Sequence, residues 1–436
     1  MLGILQKIIR KNDFSLSEPN VNALAKSYFD HIRSGHFDFS LANKTVITQR
    51  KKKRTIYSFV SNSLEHVLCG YLKEVLDKHF NVKYSSRSKI MNMLFNTLPV
   101  IKDLNDFVII RYDFKSFFDS VATQFIYNSY IEKSSIPRAT KKIFVNLSNN
   151  FKYCYAGLNT SNAMTEIACR DFDKVLRAKL ETFGVVFCQR YVDDALVILN
   201  SYISQQEFRK LLNTTIKEVF LDCKVKVNES KFNYIARRNI SSSQNLDFLG
   251  YNFTIEYDNN RKQPFIFKFG ITTKKQAKYK SKISQAFVEY RSNGNVELLR
   301  HRVKAFSSRI VYTSPLNKEN SDWITKGIIA NYNELRYHLN DLDNSTEEFL
   351  KSIYYKIMTE LGMDKIPYFF NIKDIESSYN LYSTMKRNRS MIFDPKIGIK
   401  INHLVQQIRK IQPTYVVNKR TYYQITKDYL DLLKIQ

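Results

Sequence analysis

Cysteine is scarce and odd in number, five in 436 residues (Cys69, Cys154, Cys169, Cys188, Cys223), each far from the next. That spacing excludes a disulfide framework and a cysteine zinc site, and reads as reduced thiols of a cytosolic protein. The seven histidines form no HExxH pattern or His/Cys ligand cluster, so zinc chemistry lacks its ligands. No apolar run approaches the roughly 18 residues of a spanning helix. The opening "MLGILQKIIRKNDF" has no small-residue cleavage site, so no signal peptide is expected. Gly (11) and Pro (8) are few, with no repeat and no low-complexity linker, which predicts compact domains dense in regular elements. Acid is also short: 41 Asp plus Glu against 68 Lys plus Arg leave a formal charge of +27. Such an excess calls for a polyanionic partner, nucleic acid first and an anionic membrane surface second.

What is present is apolar periodicity. Leu64, Val67, Leu68, Tyr71, Leu72, Val75 and Leu76 make one helical face, with Asn62 and Glu65 placed as a capping box. "DFVIIRYDF" (106–114) predicts a strand and residues 160–180 a helix with Met164, Ile167, Ala168, Phe172, Val175 and Leu176 inward. Ser204 and Glu207 open another helix, "KVKVN" (224–228) predicts a strand, and residues 245–257 with 263–271 predict a hairpin. The basic stretches 272–287 and 298–310 predict amphipathic helices suited to a nucleic-acid backbone. Beyond about 272 the chain reads as mainly helical.

The sharpest local signal is "QRYVDDALVI" (189–198), two apolar β-rich runs around two adjacent aspartates. Neighbouring side chains leave opposite faces of a strand, so only a tight turn brings both carboxylates to one site. The alternatives are a solvated turn and an acid pair that needs a third carboxylate. Asp113, at the end of the strand over 106–114, supplies one; Asp119 competes, but two aromatics separate it from the strand. Three such acids in a basic domain repel unless cations lie between them, and two Mg²⁺ ions held so would stabilise an in-line phosphoryl displacement.

In that order, "DFKSFFDSV" (113–121) and "YVDD" (191–194) resemble the acid motifs of reverse transcriptases. "AGLNTSNAMTEI" (156–167) resembles the family's Gly-containing loop and Ser-capped helix, "NESKF" (228–232) its lysine motif and "DFLGYNF" (247–253) its primer-grip hairpin. "KKKRTIYSFVSNSLEHVLCGYL" with "YSSRSK" (84–89) is similar to the fingers motifs of retron and group II intron enzymes. The resemblance covers roughly residues 40–270. It implies an α+β right-hand polymerase: N-terminal region and fingers at 1–105, a palm with a ferredoxin-like antiparallel sheet at 106–271, a helical thumb at 272–310 and a helical extension at 311–436.

The resemblance also implies roles. Asp113, Asp193 and Asp194 would hold two Mg²⁺ ions, with Mn²⁺ as a substitute, and the carbonyl of Phe114 would be a further ligand. Phe118 would be the steric gate that excludes a ribose 2′-hydroxyl, with Phe117 as the alternative. Arg54 and Arg87 would meet the triphosphate, although Lys51, Lys52 and Lys53 make the run around Arg54 equally a template-backbone contact. Lys231 would protonate the leaving pyrophosphate. Gly157 would let the backbone approach the nucleotide, and Ser161 would cap the next helix near the template. Phe248, Leu249 and Gly250 would grip the primer end, and Lys274, Lys275 and Lys278 would follow the duplex backbone. Partners would be dNTPs, a DNA product and an RNA template, with no membrane; residues 311–436 would take a structured RNA, a second copy or an accessory protein.

Family members commonly have Gln before that Gly, Pro after that Ser and Asn on the following helix; here stand Ala156, Asn162 and Glu166. Such divergence looks like the abortive-infection and other defence-associated bacterial enzymes, which act in the cytoplasm on a dedicated non-coding RNA, some with atypical templating or priming. The alternatives are a retron or intron polymerase, which shares the chemistry, and an RNA-binding module on a degenerate polymerase fold. Retention of all three acids argues against the last.

Overall fold

The computed structural model describes residues 1–13, 16–49, 52–258, 260, 264–315, 321–370, 379–418 and 420–434. The chain forms two compact units, Met1–Ile240 and Ser241–Gln436, each described here by itself. Among the described residues no helix is long and apolar enough to cross a membrane. All five cysteines are free, and Cys69, Cys154 and Cys169 are buried.

The first unit runs α1 (Leu2–Asn12), α2 (Glu18–Ser34), β1 (Asn43–Gln49), β2 (Lys52–Ser58), α3 (Leu64–His79), α4 (Arg87–Ile101), β3 (Val108–Asp113), α5 (Thr123–Ile126), α6 (Arg138–Asn150), α7 (Asn159–Leu180), β4 (Val185–Tyr191), β5 (Asp194–Leu199), α8 (Gln205–Phe220) and β6 (Asn233–Ala236). β1 and β2 form a separate antiparallel hairpin. The other strands make an antiparallel sheet in the order β4-β5-β3-β6. Its inward residues, Ile110, Tyr112, Val197 and Leu199 among them, join Phe172, Leu176, Phe208 and Phe220 of α7 and α8 in one core. This is the expected arrangement of helices backing an antiparallel sheet.

Two local expectations change and a third holds. The fourth strand of the sheet is Asn233–Ala236, not 224–228. "KVKVN" alternates as a strand does, yet β3 ends beside it, so only the bridge Phe114–Val227 forms. Asn62 takes a positive φ of 59°, and Ser63 caps α3 instead, accepting a hydrogen bond from His66 N. Ser204 does cap α8, accepting from Glu207 N.

The second unit begins with the sheet β7 (Gln244–Phe248), β8 (Tyr251–Tyr257) and β9 (Phe265–Ile271), antiparallel throughout. The expected single hairpin is thus two, because the Leu249–Gly250 turn, with φ of 48° and 88°, splits the first segment. Then follow α9 (Thr273–Asn293), α10 (Val296–Phe306), β10 (Arg309–Pro315), β11 (Ser321–Lys326), α11 (Ile328–Asn331), α12 (Asn344–Glu360), α13 (Leu381–Lys386), β12 (Ser390–Phe393), α14 (Ile401–Ile411) and α15 (Tyr422–Leu433). A further sheet, β11-β10-β12, with β12 parallel to β10, stands within the region expected to be mainly helical. The helix expected over 298–310 stops at Phe306: Ser308 Oγ turns back to the Lys304 carbonyl (2.7 Å), and the β-branched run from Ile310 favours a strand.

Candidate active site

Strand register places the first acid. Asp113 ends β3 directly opposite Asp194, the first residue of β5, so both carboxylates leave the same sheet face. Asp193 lies in the two-residue turn joining β4 to β5, where Tyr191 pairs with Asp194. Val192 ahead of it has a φ of 61°, a strained setting for a β-branched residue. Asp113 is 2% exposed, and the turn acids are half-buried. The backbone N–H of Phe114 donates to the Asp193 carbonyl (3.0 Å), fixing the turn to the end of β3. Asp113 and Asp194 thus share a sheet face, and Asp193 stands in the adjoining turn.

Two of the three acids have cationic or amide partners. Asp194 accepts both Nε (2.9 Å) and Nη2 (3.0 Å) of Arg111. Asp113 accepts Asn228 Nδ2 (2.9 Å) at one oxygen and Lys231 Nζ at the other. Burial raises the pKa of Asp193, and the charge of Asp113 raises it further. Burial likewise raises that of Asp194, against the opposing pull of its bond to Arg111. A carboxylate that resists ionisation this way gains from added positive charge.

Behind the turn sits a buried charge network. Arg190, 6% exposed, makes a fork with Glu166 (3.0 and 2.8 Å), bonds Asp173 (2.9 Å) and donates to the Val192 carbonyl (2.7 Å). One guanidinium thus ties α7 to the strained turn that carries Asp193. Glu166, where the family commonly has Asn, is the acid that faces Arg190. Neither Arg111 nor Arg190 was picked from sequence. A usable signal existed for Arg111, which shares a strand face with Asp113 two residues on.

The 3₁₀ turn Phe117–Asp119 separates the two gate candidates. Phe117 is 3% exposed and stacked on Phe114 at 5.1 Å, whereas Phe118 is half-buried. Asp119 has a buried Oδ1 without a hydrogen-bond partner; burial raises its pKa while Arg54, on β2, lowers it. Arg54 therefore lies near the gate turn. Its neighbour Lys51 falls outside the described residues, and Arg87 is the half-buried first residue of α4.

Gly157 has a φ of +97°, and a Cβ there would lie 2.3 Å from the Tyr57 carbonyl oxygen. Tyr57 N donates to the Ala156 carbonyl (3.0 Å), so this loop is fastened to β2, which by itself demands glycine. Ser161 is no cap: α7 starts at Asn159, and Ser161 Oγ donates to the Tyr155 carbonyl (2.6 Å) from inside the first turn. The loop already supplies that acceptor, so a capping role is not needed.

Phe248, Leu249 and Gly250 belong to the second unit. Phe248 is wholly buried and supports the turn from below, leaving Leu249 and Gly250 as its half-buried tip. Lys274, Lys275 and Lys278 are exposed on α9 at spacings of three and four, which share a helix face. On α10 the expected stripe breaks, because Arg302 is 3% exposed and paired with Glu289 (2.8 Å).

No curated protein matches this chain. A family model does: residues 43–253, a span that holds the acid turn, both strands flanking it, Arg190 and the Leu249–Gly250 turn, match Reverse transcriptase (RNA-dependent DNA polymerase). The chain carries a reverse transcriptase domain, with the polymerase-type fold that implies, and is an RNA-directed DNA polymerase, a nucleotidyltransferase acting with an RNA template and dNTPs.

Proposed function

We propose that this polymerase extends a primer at Asp113 and Asp193 by two-metal phosphoryl transfer, copying a structured non-coding RNA in bacterial antiphage defence. The observation that carries the reading is the meeting of Asp113, at the end of β3, with the Val192–Asp193 turn on one half-buried edge of the sheet. Carboxylate and carbonyl oxygens are the donor set for Mg²⁺ or Mn²⁺. Asp113, Asp193 and the carbonyl of Phe114, which takes part in none of the bonds above, would hold the metal. Among the described residues no three His, Cys, Asp or Glu side chains are gathered for an ion. Asp194 has both oxygens on Arg111, so it joins a metal only by leaving that fork. When bound, the ions would stabilise the attacking and leaving oxygens of the displacement.

The remaining steps fall to this chain's own groups. Lys231 Nζ, half-exposed and bonded to Asp113, is a proton donor held beside the reacting centre for the departing pyrophosphate. Phe118, the partly open ring of the Phe117–Phe118 pair, would be the ring a ribose 2′-hydroxyl collides with. Arg54 and Arg87 offer forked donors to the triphosphate. The defence reading rests on Ala156, Asn162 and Glu166, the last absorbed into the Arg190 network.

Primer extension on an RNA template tests the site. Asp113→Ala and Asp193→Ala should each lower the rate by at least about a hundredfold, and for Asp193→Ala the thermal midpoint should stay or rise. In the same assay Phe118→Val should raise ribonucleotide use relative to deoxynucleotide. Near wild-type extension by both Ala variants would overturn the assignment. Sequencing the nucleic acid that copurifies with the protein identifies template and product.

A further inference from the structure

In the second unit some half-buried positive charge has no matching acid among the described residues. On α10, Arg300 and Lys304 are one turn apart and share a face. Arg389, just ahead of β12, is delivered to them by the parallel pairing of β12 with β10, its carbonyl accepting Arg309 N (2.8 Å). Its guanidinium lies over the Tyr379 ring (5.0 Å), and its Nη1 is buried with no hydrogen-bond partner. Lys304 is half-buried and forms no ion pair among the described residues. Among the described residues Glu297 is the acid paired here, taken by Arg300 (3.0 Å) and by the Tyr368 hydroxyl (2.8 Å).

We infer that Arg300, Lys304 and Arg389 form a phosphate-binding site in the second unit. One carboxylate, Glu297 on Arg300, stands against three like charges at a half-buried place, a costly arrangement unless an anion completes it. Arg389 offers a fork over an aromatic base and Lys304 a point charge beside it, the pair of donor types that suits phosphate oxygens. The lowered pKa of Lys304 follows first from burial, then from the charges of Arg389 and Arg300, which places all three within reach of one another. His301 on the same helix adds no charge at neutral pH, its pKa being pushed down to about 4 by burial and by Arg300, Lys304 and Lys410, against Glu297. Arg389 lies far outside the residues that match the polymerase family, so this site does not depend on the assignment of the acid turn.

The phosphate belongs either to a nucleic-acid strand or to a free nucleotide, and binding measurements on the full chain separate them without any readout of polymerisation. Inorganic phosphate should raise the thermal midpoint of the wild-type protein above that in chloride at equal ionic strength, and Lys304→Met with Arg389→Met should remove most of that rise. Arg389→Lys, which keeps the charge, should retain part of it and guards against a folding defect. If the phosphate is part of a strand, a single-stranded RNA oligonucleotide should bind the double variant several-fold more weakly, its log–log salt slope smaller by roughly 1 to 2. If it is a nucleotide, dATP protection falls and RNA binding does not. A wild-type protein indifferent to phosphate, or a double variant that keeps the full rise, overturns the site.

Discussion

Around the acid turn of the first unit the buried charges meet their opposites, Asp193 in the turn itself excepted. Arg190 faces Glu166 and Asp173, Arg111 faces Asp194, and Lys231 faces Asp113. In the second unit Arg302 is balanced the same way by Glu289, yet Lys304 and Arg389 have no acid partner among the described residues. The two arrangements have different physical consequences. A buried pair with complete hydrogen bonds is rigid, and removing one member strands the other. An unbalanced cluster is held by the surrounding fold against its own repulsion, and its removal relieves the fold. The first pattern positions atoms; the second leaves a demand for a ligand.

Arg190→Met is the strongest way to break this contrast. It strands Glu166, 8% exposed, and releases the Val192 carbonyl. A loss of about 3 to 5 kcal/mol is expected in chemical denaturation, together with slowed extension and a raised Mg²⁺ requirement. Glu166→Gln in the same chain should recover part of the stability but not the rate, since the neutral side chain needs no cation and the turn still lacks its brace. Recovery of both would reduce Arg190 to a packing residue.

A smaller effect comes from Asp193→Asn in metal-free buffer. The folded-state pKa of Asp193 lies above its ordinary value, so in the window between the two the folded protein binds more protons than the unfolded chain, and stability falls as pH rises. At neutral pH the charged carboxylate is a net cost, so Asn should raise the midpoint there and the gain should vanish below the ordinary carboxylate value. A gain that persists at low pH would show that the effect is not electrostatic. Smallest of all, Lys304→Met in phosphate-free buffer should leave the midpoint unchanged or slightly raised, the opposite sign to Arg190→Met. A clear loss there would place Lys304 with the balanced charges and erase the contrast.

Much of the site could be read before any coordinates. The Asp-Asp turn between two β-rich runs, Asp113 at a strand end, and Lys231 all converge, because strand periodicity and tight turns are local properties of the chain. Lys274, Lys275 and Lys278 are exposed as helical spacing required. The failures are instructive in the same terms. "KVKVN" has a strand's alternation, but whether it pairs depends on what β3 offers at that edge. Residues 298–310 have a helix's spacing, but Arg302 is turned inward by Glu289, and the chain leaves the helix at Phe306. Ser161 looks like a cap from its neighbours alone, and a carbonyl six residues earlier claims it instead.

Composition and order alone determined a basic chain with a polyanionic partner, an antiparallel sheet backed by helices, and an acid pair at a tight turn answered by a third acid on another strand. Those follow from charge count and from the two- and 3.6-residue periods, which need only near neighbours. Tertiary structure decided which cation answers which acid: Arg111 for Asp194, Lys231 for Asp113, Arg190 for Glu166, and none among the described residues for Lys304 and Arg389. Partners 24, 83 or 118 residues apart carry no mark in the sequence, because their meeting is set by strand register and helix packing rather than by spacing along the chain.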